Sequence, residues 1–164
     1  MIDAAAAIAE AKRGLRHMQL DDNPGMAAAR AAGHAGVPML VTRLDVPERA
    51  YYLVPWQDDR GITLVIQIDA QTGVMSSAAA LAAPQQHIVI SPEQAQRIAS
   101  DTLGVQAVDT PQLVWQACRE TGSPFQPLYL IPVVDSHVFV AMNGTAYRQL
   151  TPFIKGGRAN PEAT

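Results

Sequence analysis

The chain uses one proline-punctuated pattern twice, and this repeat constrains the fold more than any other feature of the sequence. In the first copy Pro38 opens a Met-Leu-Val run, and Pro47 precedes a Tyr-Leu-Val-Pro run by five positions. In the second copy Pro111 opens a Gln-Leu-Val run, and Pro124 precedes a Tyr-Leu-Ile-Pro run by five positions. The matched pairs are Tyr52 with Tyr129, Leu53 with Leu130, Val54 with Ile131, and Pro55 with Pro132. A repeated supersecondary unit predicts how a chain is built without indicating an activity.

Composition limits the classes of protein that this sequence can represent. A chain of 164 residues, 48% hydrophobic, is one domain or two small units that share a core. A net charge of −3 argues against a surface that binds nucleic acid or anionic membranes. The single cysteine, Cys118, excludes an intrachain disulfide framework and a Cys-based zinc cluster.

Two features bear on location. The sequence has no apolar run long enough to cross a membrane. Its first residues carry an acid before the bases and do not read as a signal peptide. We therefore expect a cytoplasmic protein, or an extracytoplasmic one if a signal segment has been removed.

Three segments carry helix signals. Residues 3–19 are Ala-rich, with Asp3 placed to cap the first turn. Asn23 followed by Pro24 predicts a second helix that stops at Gly33 or Gly36. Ser91-Pro92-Glu93-Gln94 has the pattern of a capping box, and the helix that it predicts ends at Gly104.

Strand patterns follow the second and third helices. In residues 62–69, apolar Ile and Leu alternate with other residues, so one face is wholly apolar. Asn143-Gly144 is a strong hairpin signal. The predicted strands are 38–44, 50–57, 62–69 and 74–81 in the first half, and 112–118, 127–134, 137–142 and 145–150 in the second.

These elements predict an α+β fold of two tandem units, each a helix followed by a four-stranded antiparallel meander whose apolar face the helix covers. Residues 1–22 form an extra N-terminal helix, 23–83 the first unit and 84–154 the second. Residues 155–164 read as a disordered tail. The apolar Ile88-Val89-Ile90 in the connection predicts a short strand, or a staple onto the next helix, that docks the two units together.

Two stretches resemble the PepSY domain, a module of peptidase propeptides. One is Ile66-Gln67-Ile68-Asp69-Ala70-Gln71-Thr72-Gly73-Val74-Met75, which is similar to the family's strand, acidic D-x-x-T-G turn and last strand. The other is Ser91-Pro92-Glu93-Gln94-Ala95, which is similar to its S/T-x-E-x-A helix start. The segments Asn23-Pro24-Gly25-Met26 and Met142-Asn143-Gly144 depart from these two motifs.

The resemblance implies a helix packed on an antiparallel sheet, broadly cystatin-like. It also implies a non-catalytic role in holding, inhibiting or chaperoning a peptidase or another protein. The family is mostly extracytoplasmic, which disagrees with the absence of a signal in this sequence.

Residues that could carry chemistry are few. Cys118 is the one thiol, and Asp135 and His137 are its imaginable partners, but a cysteine that ends a strand-like run is more typical of a packed residue. The four histidines are far apart in sequence and form no metal-ligand motif. The acidic pairs Asp21-Asp22 and Asp58-Asp59 adjoin turn residues, which explains them without a cation. We therefore predict no enzyme activity, no cofactor and no metal.

The scarce aromatic residues mark the predicted interaction surface. Along the second strand, Tyr51 and Leu53 lie on one face, while Tyr52, Val54 and Trp56 lie on the other. Both faces are apolar, so a helix covers one, and the other half of the chain, the first helix or a partner covers the other. The possible interaction surface consists of Tyr52, Val54, Trp56, Trp115 and Tyr129.

The favoured hypothesis is a non-catalytic protein-binding module that regulates, inhibits or chaperones a peptidase or another protein, or pairs with itself as a homodimer. Exposed edge strands suit such a role. The alternatives are a small-molecule-binding protein or enzyme with a pocket between the two units, and a structural subunit of a larger assembly.

Overall fold

The structure is a computed structural model that describes residues 1–20 and 22–153. Its α+β fold has three helices and a nine-stranded, mostly antiparallel open sheet in the described residues. The helices are α1 (Ala4–His17), α2 (Pro24–Ala32) and α3 (Pro92–Leu103). The strands are β1 (His34–Ala35), β2 (Met39–Arg43), β3 (Ala50–Asp58), β4 (Gly61–Asp69), β5 (Met75–Gln85), β6 (Gln112–Trp115), β7 (Leu128–Val133), β8 (Ser136–Ala141) and β9 (Ala146–Tyr147).

The α+β class and the antiparallel strands are confirmed. Each of the eight predicted strands overlaps one of β2–β9, and only the two-residue β1 was not predicted. The predicted disordered tail, 155–164, lies outside the described residues.

Capping side chains start all three helices. The Asp3 Oδ1 atom accepts a hydrogen bond from the Ala6 N–H at 2.8 Å, and the Asn23 Oδ1 atom accepts one from the Met26 N–H at 3.1 Å. The Ser91 Oγ atom accepts the Gln94 N–H at 3.1 Å. Each cap satisfies a backbone donor that the helix itself cannot pair, so the predicted helix starts are confirmed.

The two meanders form one sheet, with the strand order β5-β4-β3-β2-β6-β7-β8-β9, and the short β1 also pairs with β3. At the centre β2 and β6 pair in parallel, with Thr42 opposite Val114. The expectation of a separate sheet for each half is therefore wrong. Both β2 and β6 pair on one side with the next strand of their own half, and the remaining free edges pair with each other.

The helices cover opposite faces of this sheet. Val41 and Leu113 pack in one cluster, on the face of the sheet that they share across the β2–β6 pair. Leu113 also packs beneath α3 together with Tyr129. Tyr52 points to the other face, because its neighbour Tyr51 pairs with Val41, and it packs beneath α1 and α2. Each half of the sheet thus carries its helices on a different side, and within the described residues each leaves its second face without a helix.

The segments that precede α1 and α3 make the same hydrogen bond with the repeated tyrosine. The Tyr52 hydroxyl donates to the Ile2 carbonyl oxygen at 3.2 Å, and the Tyr129 hydroxyl donates to the Ile90 carbonyl oxygen at 3.0 Å. Each of these carbonyls belongs to the residue just before a helix N-cap. Both helices also bury alanines four and eight residues after the cap: Ala7, Ala11, Ala95 and Ala99.

The predicted boundary at residue 22 therefore separates α1 from the strands that it covers. The Asn23-Pro24 start signal is correct for α2, but a local signal does not indicate which helix covers the repeated tyrosine. Helix α2 lies beside α1 on β3, where the Trp56 Nε1–H donates to the Ala29 carbonyl oxygen at 3.1 Å. The Arg30 guanidinium on α2 donates to carbonyl oxygens at the end of α1, which ties the two helices together.

Candidate functional site

The structure buries four of the five residues predicted to form an interaction surface. Tyr52, Val54 and Trp56 lie in the core beneath α1 and α2, with at most 7% of each residue exposed. Tyr129 lies beneath α3 with 4% exposed. These side chains cannot meet a partner on the surface, so the predicted interaction surface is corrected. The two helices that follow one another at the N-terminus, and not a partner, cover the face of Tyr52.

Trp115 is the one predicted surface residue that is only half-buried. It ends β6 at the parallel junction, where the Arg43 guanidinium lies 5.3 Å from the centre of its ring. Asp45 accepts two hydrogen bonds from Arg43 and thereby holds the guanidinium in place. The side-chain hydrogen bond from Arg43 lowers the pKa of Asp45. The cluster of Arg43, Asp45 and Trp115 lies at the end of the β2–β6 pair, and packing explains it.

The other apolar face of the first half is covered by the second half and the connection. Val41, Tyr51, Leu53, Ile62 and Val65 form its buried cluster. Ile88 of the connection and Phe125 of the second half pack against that cluster, and the Tyr51 hydroxyl donates to the Pro124 carbonyl oxygen at 2.7 Å. The expectation that the connection docks the two halves is confirmed, although residues 88–90 form neither a helix nor a strand.

Ile90 has the position of the predicted staple. It directly precedes the N-cap Ser91 and packs against the cluster that contains Ala95, four residues after the cap. The apolar Ile88–Ile90 segment therefore contacts both cores at once, through Ile88 on the first half and Ile90 on the second. This double contact fixes the entry of the chain into α3.

A cavity of about 810 Å³ lies where the second half and the connection do not fully cover the face of the first half that contains Val65. We call it the junction cavity. One wall comes from β4 and β5, a second from the connection and the start of α3, and a third from residues 123–129 and the β8–β9 turn. Its lining residues are Val65, Ala79, Leu81, Gln85, His87, Ile88, Val89, Ile90, Ser91, Pro92, Gln94, Ser123, Phe125, Gln126, Tyr129, Met142 and Asn143.

Local structure places each wall of the junction cavity. The alternation of β4 turns Val65 to the face opposite α1, and its partner Ala79 on β5 lies on the same face. Phe125 sits in a turn in which the Ser123 hydroxyl accepts the Phe125 N–H at 3.2 Å. The Thr121 hydroxyl donates to the Gln126 carbonyl oxygen at 2.6 Å, with the Ser123 carbonyl oxygen at 3.3 Å, and so holds the end of this turn.

The junction cavity is apolar inside and carries no Asp, Glu, Lys or Arg among its lining residues. Its polar side chains include four amides, and those of Gln85, Gln94 and Gln126 make no hydrogen bond to the part of the chain that the structure describes. Burial is the main cause that raises the pKa of the Tyr129 phenol, with Glu93 adding to it. The site can therefore bind an uncharged ligand and offer it amide donors and acceptors.

Strand β5 forms the outer edge of the sheet beside this cavity. It is 11 residues long and contains no charged residue. The opposite edge, β9, is only two residues long. Among the residues that the structure describes, the long edge thus offers unpaired backbone groups next to the junction cavity.

The candidate nucleophile is not set up for catalysis. Cys118 is fully buried, and burial is the main cause that raises the pKa of its thiol. It packs with Val114, Leu128 and Phe139. Asp135 occupies the β7–β8 turn with a φ of 59°, and His137 is an exposed residue of β8 whose ring meets the Phe139 ring edge-on.

The remaining sequence candidates have structural explanations. Asp58 accepts hydrogen bonds from Arg60 in the β3–β4 turn. Within residues 1–20 and 22–153, no group of three or more His, Cys, Asp or Glu side chains is placed to hold a metal ion. No helix of the described chain is long and apolar enough to cross a membrane.

Comparisons with family models, with curated proteins and with solved structures found no match to this chain.

Sequence reasoning gave a pocket between the two units as an alternative but did not locate the junction cavity, although one signal pointed towards it. The Ile88–Ile90 run is too apolar for a free connection, and it forms part of the cavity wall. A second missed signal is the shared spacing of α1 and α3. Ile2, Asp3, Ala7, Ala11 and Leu15 have the same spacing as Ile90, Ser91, Ala95, Ala99 and Leu103.

Proposed function

We propose that this chain is a non-catalytic protein-binding module that holds a segment of another protein in the junction cavity. The observation that carries the proposal is the cavity itself, which is mostly apolar, has no Asp, Glu, Lys or Arg among its lining residues and is rimmed by free amides. A peptide backbone carries equal numbers of donors and acceptors, and side-chain amides match both. A cationic metabolite would find no carboxylate among the lining residues, and an anionic one no lysine or arginine.

The resemblance to the PepSY domain supports the same role, because that family engages peptidases and other proteins without catalysis. We propose the finer fold on this basis: two tandem, diverged PepSY-like units that pair edge to edge. The tyrosine-to-carbonyl bonds of Tyr52 and Tyr129 support two equivalent units. The partner is then a peptidase or a client protein, and a second copy of this chain is the alternative partner.

A filled cavity tests the proposal. Ala79→Trp places an indole in the junction cavity from β5, where Ala79 is half-buried and lines the cavity wall. Ala83→Trp, at an exposed position of β5 that does not line the cavity, is the matched control. Each variant and the wild type are immobilised and exposed to lysate of the source organism, and the retained proteins are identified by mass spectrometry.

We expect at least one protein to be retained by the wild type and by Ala83→Trp but not by Ala79→Trp. If all three retain the same proteins, or none is retained by the wild type, the proposal fails. Circular dichroism and thermal unfolding establish that both variants remain folded.

A small molecule is the second candidate ligand, because the cavity volume of about 810 Å³ lies in the range of small-ligand sites. Native mass spectrometry of the purified protein separates the two candidates. A bound mass of a few hundred daltons that disappears in Ala79→Trp would favour the small molecule.

A further inference from the structure

The free edge of β5 extends the proposed site beyond the cavity. In the described residues β5 pairs only with β4, so its outer backbone N–H and C=O groups face no strand. Such an edge is a template on which another extended chain can add.

The pairing of β5 with β4 limits the part of this edge to which another strand can add. Register shifts lie opposite Ile62–Leu64 and opposite Gln67–Ile68, and they bend both ends of the strand. Pro84 further weakens the far end as a template. Between the shifts, Ser77–Ala80 pairs regularly with β4. Natural edges are often blocked by lysine or other charges, and this segment carries none.

The same segment borders the junction cavity. Ala79 pairs with Val65, and both line the cavity. In a sheet, side chains of directly paired residues lie about 5 Å apart on the same face. A strand added outside β5 would therefore place every second side chain next to Ala79. The alanine methyl is short, so a long apolar side chain of the added strand reaches across it into the cavity.

The geometry points to the chemical class of the bound segment and to its mode of binding. The segment adds to β5 as a further strand, over Ser77–Ala80, and carries uncharged apolar side chains at every second position. A charge at those positions would be buried among uncharged residues and disfavoured. This inference rests on the proposed function, to which it adds the binding mode and the class of segment.

A peptide-display library of random nonapeptides, selected against the immobilised full chain, is the probe. We expect the enriched peptides to alternate apolar and polar residues and to bind wild type and Ala83→Trp equally. Binding to Ala79→Trp should be at least about tenfold weaker.

N-methylation of each peptide position in turn then tests strand addition. Every second backbone N–H of an added strand bonds to β5, so affinity should fall by about tenfold at alternate positions and change little between them. Losses without this period of two would overturn the inference while the protein-binding function stands. If no peptide is enriched, or if the enriched peptides bind Ala79→Trp as well as wild type, the proposed function fails as well.

Discussion

Tyr129 donates its hydroxyl hydrogen to the carbonyl oxygen of Ile90, 3.0 Å away, and thereby joins the start of β7 to the residue just before the N-cap of α3. Tyr52 makes the same bond to Ile2, before α1. These two bonds define which helix belongs to which half of the sheet. They also hold Ile90, a wall residue of the junction cavity, in its position.

Removal of either hydroxyl should destabilise the fold. Tyr129→Phe and Tyr52→Phe each leave a carbonyl without its donor, and we expect each to lower the free energy of unfolding by about 1 kcal/mol. Tyr147→Phe is the control, because the Tyr147 hydroxyl makes no hydrogen bond within the described residues. Urea unfolding followed by circular dichroism measures the three variants. Equal stability of all three would contradict the role of these bonds.

Gly33 should not tolerate a side chain. It ends α2, and a Cβ there would overlap the Trp56 ring, whose N–H bonds to Ala29. Gly33→Ala should lower the free energy of unfolding by about 1–3 kcal/mol, as overpacking does in cores. Gly122→Ala is the control, since a Cβ at Gly122 meets nothing within 4 Å. Thermal unfolding compares the two variants, and an unchanged melting temperature for Gly33→Ala would show that α2 shifts freely.

The charge on Asp69 should make the free energy of unfolding depend on pH in the acid range. Burial alone raises the pKa of Asp69, but hydrogen bonds from Thr72 and Gln71 and the Arg49 charge outweigh it, so the pKa lies below 3.8. A lowered folded-state pKa contributes stability above the unfolded-state pKa, and that contribution is lost as the pH falls through the folded-state pKa. The charged Asp69 thus stabilises the protein near neutral pH.

The neutral variant Asp69→Asn cannot titrate. Between about pH 5 and about pH 2.5 the wild type should therefore lose more stability than Asp69→Asn does. Asp59→Asn, at an exposed turn position, should follow the wild type. Urea unfolding across this range provides the measurement, and identical pH profiles for wild type and Asp69→Asn would refute the prediction.

Cys118 should react slowly in the folded protein. It is fully buried, and burial raises the pKa of its thiol, whereas alkylation needs an accessible thiolate. We expect labelling by a thiol reagent to be at least about a hundredfold faster in urea than in buffer. Rapid labelling without urea would contradict this prediction and would favour Cys118 as a reactive residue.

The strands were predictable because their signals are local. The alternation of Ile62, Leu64, Ile66 and Ile68 sets one face of β4, and Asn143-Gly144 fits the turn before β9. The helix caps at Asp3, Asn23 and Ser91 are equally local. Such signals depend on neighbours within a few residues, which the sequence displays directly.

The assembly of these elements was not predictable in the same way. The parallel pair of Thr42 with Val114 joins residues far apart in the chain, and no local pattern indicates it. The alternation around Tyr52 shows two apolar faces but not what covers each one. The junction cavity arises from that long-range assembly, because its walls come from both halves and from the connection.

A map of peptide binding on the isotope-labelled protein tests whether the junction cavity and the adjoining edge of β5 form the binding site. Backbone amide shifts are recorded by NMR as a display-selected peptide is added. We predict that the largest changes fall on Ser77–Leu81, Ile88–Ser91 and Phe125. Changes centred on β9 or on α1, or no changes at saturating peptide, would contradict binding in the junction cavity.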